Sequence, residues 1–316
     1  MDLGNMQRFI PARMKYLLKP YYRKVFSDRL HVLFWPTFRC NYACSYCTVC
    51  TKFDFATVFP KESEKRVEQW ISALEKLPPA MIYVAGGEPF LYAGLPELVN
   101  NLPAKHQLLG IVSNVSLPAS VYRKIKRPFH LNASFHREYV SAESFIARVK
   151  ELQEFLDVHV NIVATPQNLP VISSIDELMK TYRITLHVDP YVDHEFHYST
   201  EERALLRKYT QADRESLVDF DDFSPKQCSA GRNYINLMPD GQVFTCAGGF
   251  SYTYSPLYTE LVKDKPLGQF RMRNLFDADF ALNSSDVVCE LPCKDACDRD
   301  AVIVKIIEPA PSLQTT

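Results

Sequence analysis

Cys40, Cys44 and Cys47 stand at the spacing C-x3-C-x2-C. Three thiolates that close together can hold three corners of a four-iron cluster and leave the fourth iron open, as catalytic metal sites keep one position free. A second register overlaps the first. Cys44, Cys47 and Cys50 read C-x2-C-x2-C, the run of a bacterial ferredoxin, but Lys52 to Phe55 follow where its fourth cysteine would stand. Zinc is also bound by closely spaced cysteines, and these residues alone do not choose between the two metals. Further along, Cys228 and Cys246 bracket Pro239-Asp240-Gly241, and Cys289, Cys293 and Cys297 follow at C-x3-C-x3-C. A hairpin folded at Asp240-Gly241 could bring Cys228 and Cys246 together, and two of the last three cysteines would complete a four-thiol site.

These 9 cysteines are unusual in a chain of otherwise average composition: 316 residues, 47% hydrophobic and 23% charged, with 36 basic and 37 acidic side chains. Such a composition argues against disorder, and a net charge of −1 gives no global pull toward nucleic acid. No apolar run reaches the ~18 residues of a membrane span and no secretory signal opens the chain, so the cytoplasm is the expected compartment. Structural disulfides are disfavoured there and an odd number of cysteines cannot pair completely, which favours metal or redox chemistry.

The elements that must position these residues begin at Leu30. Strands are expected at Leu30 to Trp35, Met81 to Ala85, Gln107 to Ser113, His130 to Phe135, Val158 to Ala164 and Ile184 to Val188. Helices are expected at Glu62 to Lys76, Leu95 to Asn101, Ala119 to Lys126, Ala142 to Leu156 and Ile172 to Tyr182, with one more at Thr200 to Tyr209. Strand followed by helix, repeated, requires parallel pairing with right-handed crossovers, hence a barrel or an open doubly wound sheet. The first cysteines then fall in the loop at the C-terminal end of the first strand, where such folds carry their chemistry. Residues 1–29 form a basic extension with Arg8, Arg13, Lys15, Lys19, Arg23, Lys24 and Arg29. In it, Met14, Leu17 and Leu18 follow a helical period that could dock on the body of the protein or on an anionic surface. Residues 211–227, with Asp219, Asp221 and Asp222, read as an acidic linker, and 308–316 as a loose tail.

Some forty residues past the cysteines, at the end of the second strand, stands Gly86-Gly87-Glu88-Pro89. Together with Cys40-Asn41-Tyr42-Ala43-Cys44-Ser45-Tyr46-Cys47, it closely resembles the motifs of the radical S-adenosylmethionine (radical SAM) enzymes. The resemblance spans roughly Leu30 to Val188 and implies an α/β fold, a partial (βα)6 TIM-like barrel over residues 30–210. It also implies a 4Fe-4S cluster on Cys40, Cys44 and Cys47, with SAM chelated to the open iron and the Gly-Gly-Glu-Pro strand end at its amino group. Tyr46, Gly86, Gly87, Glu88, Pro89, Ser113, Asn114 and Ser134 become expected cofactor contacts. Many relatives carry Ser-hydrophobic-Asp-Gly at the fourth strand, where this chain has Ser134-Phe135-His136-Arg137. His136 could face the cavity as a catalytic group. Cys50 is read either as a buried small hydrophobe or as a thiol that donates hydrogen to a substrate radical.

Residues 228–307 resemble the SPASM or shorter twitch extensions of these enzymes, a small α+β domain holding auxiliary clusters. Cys228, Cys246, Cys289, Cys293 and Cys297 suffice for one auxiliary 4Fe-4S cluster, with Cys293 and Cys297 the preferred closing pair and structural zinc the alternative. Past the sixth strand, His187, Asp189, Asp193, His194, Glu195 and His197 are candidate substrate contacts, and His194-x2-His197 a conceivable metal pair. The resemblance implies reductive cleavage of SAM to a 5′-deoxyadenosyl radical that abstracts hydrogen, fed by an external donor such as flavodoxin or ferredoxin. A small-molecule substrate, a sugar or natural-product intermediate undergoing dehydrogenation, is the first expectation, because the extension is shorter than the ~80 residues of a leader-peptide recognition domain. Peptide maturation with a separate recognition protein, redox-neutral epimerisation and a non-catalytic iron-sulfur carrier or sensor are the alternatives.

Overall fold

The computed structural model describes residues 29–191, 193, 196–209, 225–254, 256–260, 262–291 and the backbone of 304–306. The basic extension before Arg29, most of the acidic linker, His194, Glu195, Cys293, Cys297 and the C-terminal tail lie outside the described residues.

Six strands, β1 (Leu30–Phe34), β2 (Ala80–Val84), β3 (Gln107–Ser113), β4 (His130–Ser134), β5 (Asp157–Ala164) and β6 (Leu186–Pro190), pair in sequence order, each parallel to the next. Helices connect them: α1 (Val67–Leu74), α2 (Leu95–Asn100), α3 (Ala119–Tyr122), α4 (Ala142–Gln153) and α5 (Ile172–Thr181), with α6 (Thr200–Leu206) after β6. Parallel strands demand such crossovers. The faces follow from the two-residue period of a strand. Leu131 and Ala133 of β4, Val160 and Ile162 of β5 and Leu186 and Val188 of β6 are buried in one core with Trp70, Leu74, Phe145, Val149 and Met179 of the helices. The alternate positions, Asn132, Ser134, Asn161, His187 and Asp189, are polar and half-buried on the opposite face. There Ser134 Oγ donates to Asn161 Oδ1 at 3.0 Å, and Asn161 Nδ2 donates to Asp189 at 2.7 Å.

Three expected elements differ for local reasons. The helix expected over Glu62 to Lys76 is a short 3-10 turn at Lys61–Ser63 followed by α1 from Val67, because Glu64 adopts extended backbone. The helix expected at Ala119 to Lys126 ends after Tyr122. The sixth strand begins at Leu186 rather than Ile184. Arg183 turns the end of α5 at φ +61, its N–H reaching Lys180 O at 2.9 Å, and Ile184 N–H closes onto Met179 O at 3.0 Å.

The C-terminal region does not form a sheet of its own alone. Strand β8 (Tyr234–Leu237) lies parallel to β1 and extends the large sheet, and β9 (Val243–Phe244) folds back antiparallel upon it. All four residues of β8 are buried, as a strand covered on both faces requires. The hairpin expected around Asp240-Gly241 is present, with Gly241 at φ +89, where an added Cβ would meet the Phe276 ring at 2.3 Å. A second, three-stranded antiparallel sheet runs β10-β7-β11, from Val287–Cys289, Lys226–Cys228 and Val304–Ile306.

Trp70 is fully buried, its ring 4.8 Å edge-on to Phe34 and 5.1 Å from Phe276. It pins α1 to β1. Trp70→Ala should lower unfolding free energy by about 3–5 kcal/mol, measured by chemical denaturation; a change below 1 kcal/mol would contradict this packing role.

Candidate cluster and cofactor site

Past β1 the chain runs through Thr37–Arg39 into Cys40–Cys50, a loop of turns without a ladder of its own. Side chains from distant segments hold it instead. Arg39 donates twice to the Glu64 carboxylate, at 2.9 and 3.1 Å, and once to Leu91 O at 2.7 Å; Thr37 Oγ1 donates to the same carboxylate at 2.5 Å. The turn after β4 grips each residue from Tyr42 to Tyr46. Tyr139 stacks on Tyr42 at 4.2 Å and accepts from Ala43 N–H at 2.6 Å. His136 Nδ1 lies 3.2 Å from Cys44 Sγ and 2.7 Å from Tyr46 Oη. Glu138 accepts from Ser45 N–H at 2.8 Å and Ser45 Oγ at 2.5 Å.

The Gly-Gly-Glu-Pro end of β2 packs flat on the entry to this loop. Gly87 N–H donates to Thr37 O at 3.2 Å and Glu88 N–H to Arg39 O at 2.8 Å. A Cβ at Gly86 would sit 2.4 Å from Thr37 O, and one at Gly87 2.3 Å from Arg39 O. Only glycine permits that approach. The Glu88 carboxylate is fully buried and turned toward β3, accepting from Ser113 Oγ at 3.0 and 3.1 Å, Asn114 N–H at 2.8 Å and Phe90 N–H at 3.2 Å. Burial pushes its pKa up to about 7 against the pull of those donors. Glu88 and Ser113, both expected as cofactor contacts, are thus engaged with one another, while the backbone at Gly86 and Gly87 lies beside the loop. Pro89 opens a short 3-10 turn. Asn114 Nδ2 donates to Asn41 Oδ1 at 3.0 Å and reaches Cys40 Sγ at 3.8 Å, and Ser134 is tied to Asn161.

The donor set fits an iron-sulfur cluster. Cys40, Cys44, Cys47 and Cys50 all project from one short loop, and N–H groups reach their sulfurs: Tyr42 N to Cys40 and Cys50 N to Cys47, both at 3.4 Å. A zinc ion would hold its sulfurs about 3.8 Å apart, given ~2.3 Å bonds in a tetrahedron. Among the described residues, three potential ligand atoms lie within 4.8 Å of one another only at His130, Asp157 and His159, at the opposite ends of β4 and β5. Among the described residues, no three cysteines are gathered in this way. Cys47 is held down to about 6, chiefly by its bond with Cys50, whereas burial pushes Cys44 up to about 12. His136 is held down to about 4 by burial, so its ring is neutral beside Cys44. It contacts the cysteine loop through Cys44 and Tyr46.

Three cysteines of the second set, Cys228, Cys246 and Cys289, lie among the described residues. Cys228 ends β7, Cys289 ends β10, and Cys246 precedes helix α7 (Ala247–Tyr254), whose Gly249 N–H reaches Cys246 Sγ at 3.1 Å. Cys228 and Cys246 pack on Ala230 and Tyr234; Cys246 and Cys289 pack on the aromatic cluster of Phe38, Phe244 and Phe250. Beside Cys246, Thr245 Oγ1 is buried and has no hydrogen-bond partner among the described residues. The preferred closing pair, Cys293 and Cys297, lies outside the described residues. Of the loop beyond β6, Asp189 pairs with His187 at 3.3 Å, His197 is exposed, and Lys52 Nζ donates to both Tyr191 Oη and Asp193. Lys52 therefore bridges the cysteine loop to the far edge of the sheet. Arg39, Lys52, Glu64, Glu138 and Tyr139 were not singled out from the sequence, since nothing in their spacing announces the partners they meet across 25 to 141 residues.

No family model matches the sequence. The mycofactocin maturase MftC of Mycolicibacterium smegmatis is 24% identical over 297 residues, covering 77% of this chain and 74% of MftC. Among solved structures, Streptococcus suis SuiB bound to S-adenosylmethionine superposes with a TM-score of 0.51 at 16% identity, over 76% of this chain and 70% of SuiB. Native anSMEcpe with bound AdoMet does so at 0.52 and 14%, over 78% of each. A parallel partial barrel that brings C-x3-C-x2-C and Gly-Gly-Glu-Pro together at one strand end is the arrangement that the resemblance to radical SAM enzymes implies. This chain is similar to these proteins in fold, and S-adenosylmethionine (AdoMet) is bound in both solved structures. Among the described residues, no helix is long and apolar enough to cross a membrane.

Gly87→Ala must displace the Arg39 carbonyl, so it should cost about 1–3 kcal/mol and reduce iron per chain after anaerobic reconstitution; an unchanged melting temperature and iron content would contradict the close approach. For Glu88, the folded value of about 7 lies above the ordinary 4.5. Its stabilising contribution is therefore complete below the unfolded value and is lost as pH rises through 7. The melting temperature of wild type minus that of Glu88→Gln should fall between pH 4.5 and 7, and a flat difference would refute the burial assigned to this carboxylate.

Proposed function

We propose that this chain is a peptide-modifying radical SAM enzyme. The observation that carries the reading is the thiol loop lying against the Gly86–Gly87 backbone at the C-terminal end of the sheet. Cys40, Cys44 and Cys47 would hold the catalytic cluster, and the carbonyls of Gly86 and Gly87 would receive the amino group of SAM. When bound, the reduced cluster supplies the electron that splits SAM into methionine and a 5′-deoxyadenosyl radical. The protein's own residues orient and exclude. His136, Glu138 and Tyr139 fix the loop, Glu88 joins the ends of β2 and β3, and the row Ser134, Asn161 and Asp189 offers hydrogen bonds to ligands on the polar face.

For the substrate, support for a peptide outweighs the small molecule first expected from the short extension. MftC is a maturase by name, and anSMEcpe matches this chain at a TM-score of 0.51 with AdoMet and the Cp18Cys peptide bound. A polar, half-buried strand face with alternating Asn, Ser and Asp suits an extended chain, whose backbone presents donors and acceptors in turn. Cys228, Cys246 and Cys289, with a further cysteine, would hold the auxiliary cluster, which could accept an electron from a substrate radical and make the modification an oxidation. An external low-potential donor such as flavodoxin or ferredoxin would reduce the catalytic cluster.

Anaerobically reconstituted, dithionite-reduced protein should convert SAM to 5′-deoxyadenosine, measured by chromatography. Cys47→Ala should abolish this, whereas Cys246→Ala should retain SAM cleavage and lose peptide modification, followed by mass spectrometry with candidate precursor peptides. Intact clusters without deoxyadenosine would favour the carrier or sensor reading.

A further inference from the structure

At the ends of β4 and β5 remote from the thiol loop, three side chains with metal-ligand chemistry meet outside the site described above. The parallel register sets His130 beside Asp157 and Asn132 beside His159. With the two-residue period of a strand, His130, Asp157 and His159 then share one face of the sheet, and one ligand atom from each lies within 4.8 Å of the others. Asp157 reaches both imidazoles, its Oδ2 standing 2.6 Å from His130 Nδ1 and its Oδ1 3.5 Å from His159 Nε2. The two rings meet edge-on, their centroids 5.4 Å apart and their planes at 84°. His130 Nδ1 is a buried atom that makes no hydrogen bond among the described residues, although Asp157 Oδ2 stands so near. The oxygen thus lies off the line along which a ring N–H would donate. Along that same line an unprotonated ring nitrogen offers its lone pair to a metal ion.

We propose that His130, Asp157 and His159 form a binding site for a divalent transition-metal ion of the zinc type, which clamps the N-terminal end of β4 to that of β5. Two imidazoles and one carboxylate are ligands that zinc takes readily, and three protein ligands leave a fourth position for water. Around zinc, with bonds of ~2.0–2.1 Å, tetrahedral ligand atoms stand about 3.3 Å apart. The contacts of 2.6 and 3.5 Å to Asp157 fall on either side of that spacing, so small side-chain rotations complete the shell. The backbone of all three residues is already ordered by strand pairing, and little conformational entropy is lost on binding. Side-chain exposures of 36% at His130, 39% at Asp157 and 53% at His159 give the ion a path from solvent. The site uses no cysteine and is independent of what the thiol loop holds.

The test uses the full chain, reconstituted anaerobically with iron and sulfide, desalted and dialysed against zinc chloride. Wild type should retain about one zinc ion per chain more than His159→Ala, or than His159→Ala combined with His130→Ala, at equal iron content. Zinc affinity at this site should fall by about 100-fold or more in both variants. X-ray absorption at the zinc edge should show nitrogen and oxygen neighbours at ~2.0–2.1 Å in the loaded wild type. A shell dominated by sulfur at ~2.3 Å, or equal zinc uptake by wild type and variants, would overturn the proposal. The clamp has its own readout. Zinc should raise the melting temperature of wild type more than that of His159→Ala, which has the same cysteines, so any zinc held by thiols acts alike on both. His159 is the most exposed of the three, so its replacement disturbs packing least, and an equal zinc-induced shift in the two chains would refute the clamp.

Discussion

The site depends on a backbone contact: Gly86 and Gly87 lie so close to Thr37–Arg39 that no side chain could intervene. That contact sets the end of β2 against the entry to the thiol loop and so fixes the Gly86–Gly87 backbone relative to it. A loop without a hydrogen-bond ladder would otherwise pay its ordering entropy when the cluster binds. Here much of that ordering is imposed beforehand by Glu64 on one side and by the turn at His136–Tyr139 on the other.

The C-terminal region extends this constraint. Because β8 continues the sheet beside β1, the strand that feeds the first thiols is held between β2 and the segment that carries Cys246. Phe38, two residues before Cys40, stacks on Phe250 of the helix that follows Cys246. The two thiol sets are thus joined through one strand and one aromatic cluster, with little freedom to shift separately. Electron exchange between an auxiliary cluster and a substrate radical would benefit from such fixed spacing.

Much of this was legible in the sequence. The β/α alternation, the loop position of Cys40–Cys47 and the hairpin at Gly241 all follow from local pattern, since period, turn residues and short-range spacing are local quantities. The role of Glu88 was not. Spacing places it in the motif, but only the fold turns its carboxylate onto Ser113 and Asn114. His136 likewise sits at a strand end as expected, yet its contacts with Cys44 and Tyr46 arise from how the turn after β4 leans across the barrel mouth. Lys52 and Glu138 carry no motif at all. The pairing of β8 with β1 was hidden because Tyr234–Leu237 reads as a short hairpin strand, and nothing local states which sheet edge it will cover.

On the proposed function, the cysteine loop would hold a cluster that binds SAM at an iron. Electron paramagnetic resonance of the reduced, oxygen-free full chain, recorded with and without SAM, addresses it most directly. The account predicts a reduced four-iron signal whose shape and g-values change on adding SAM. A signal indifferent to SAM, or a loop that holds zinc under the same reconstitution, would contradict it.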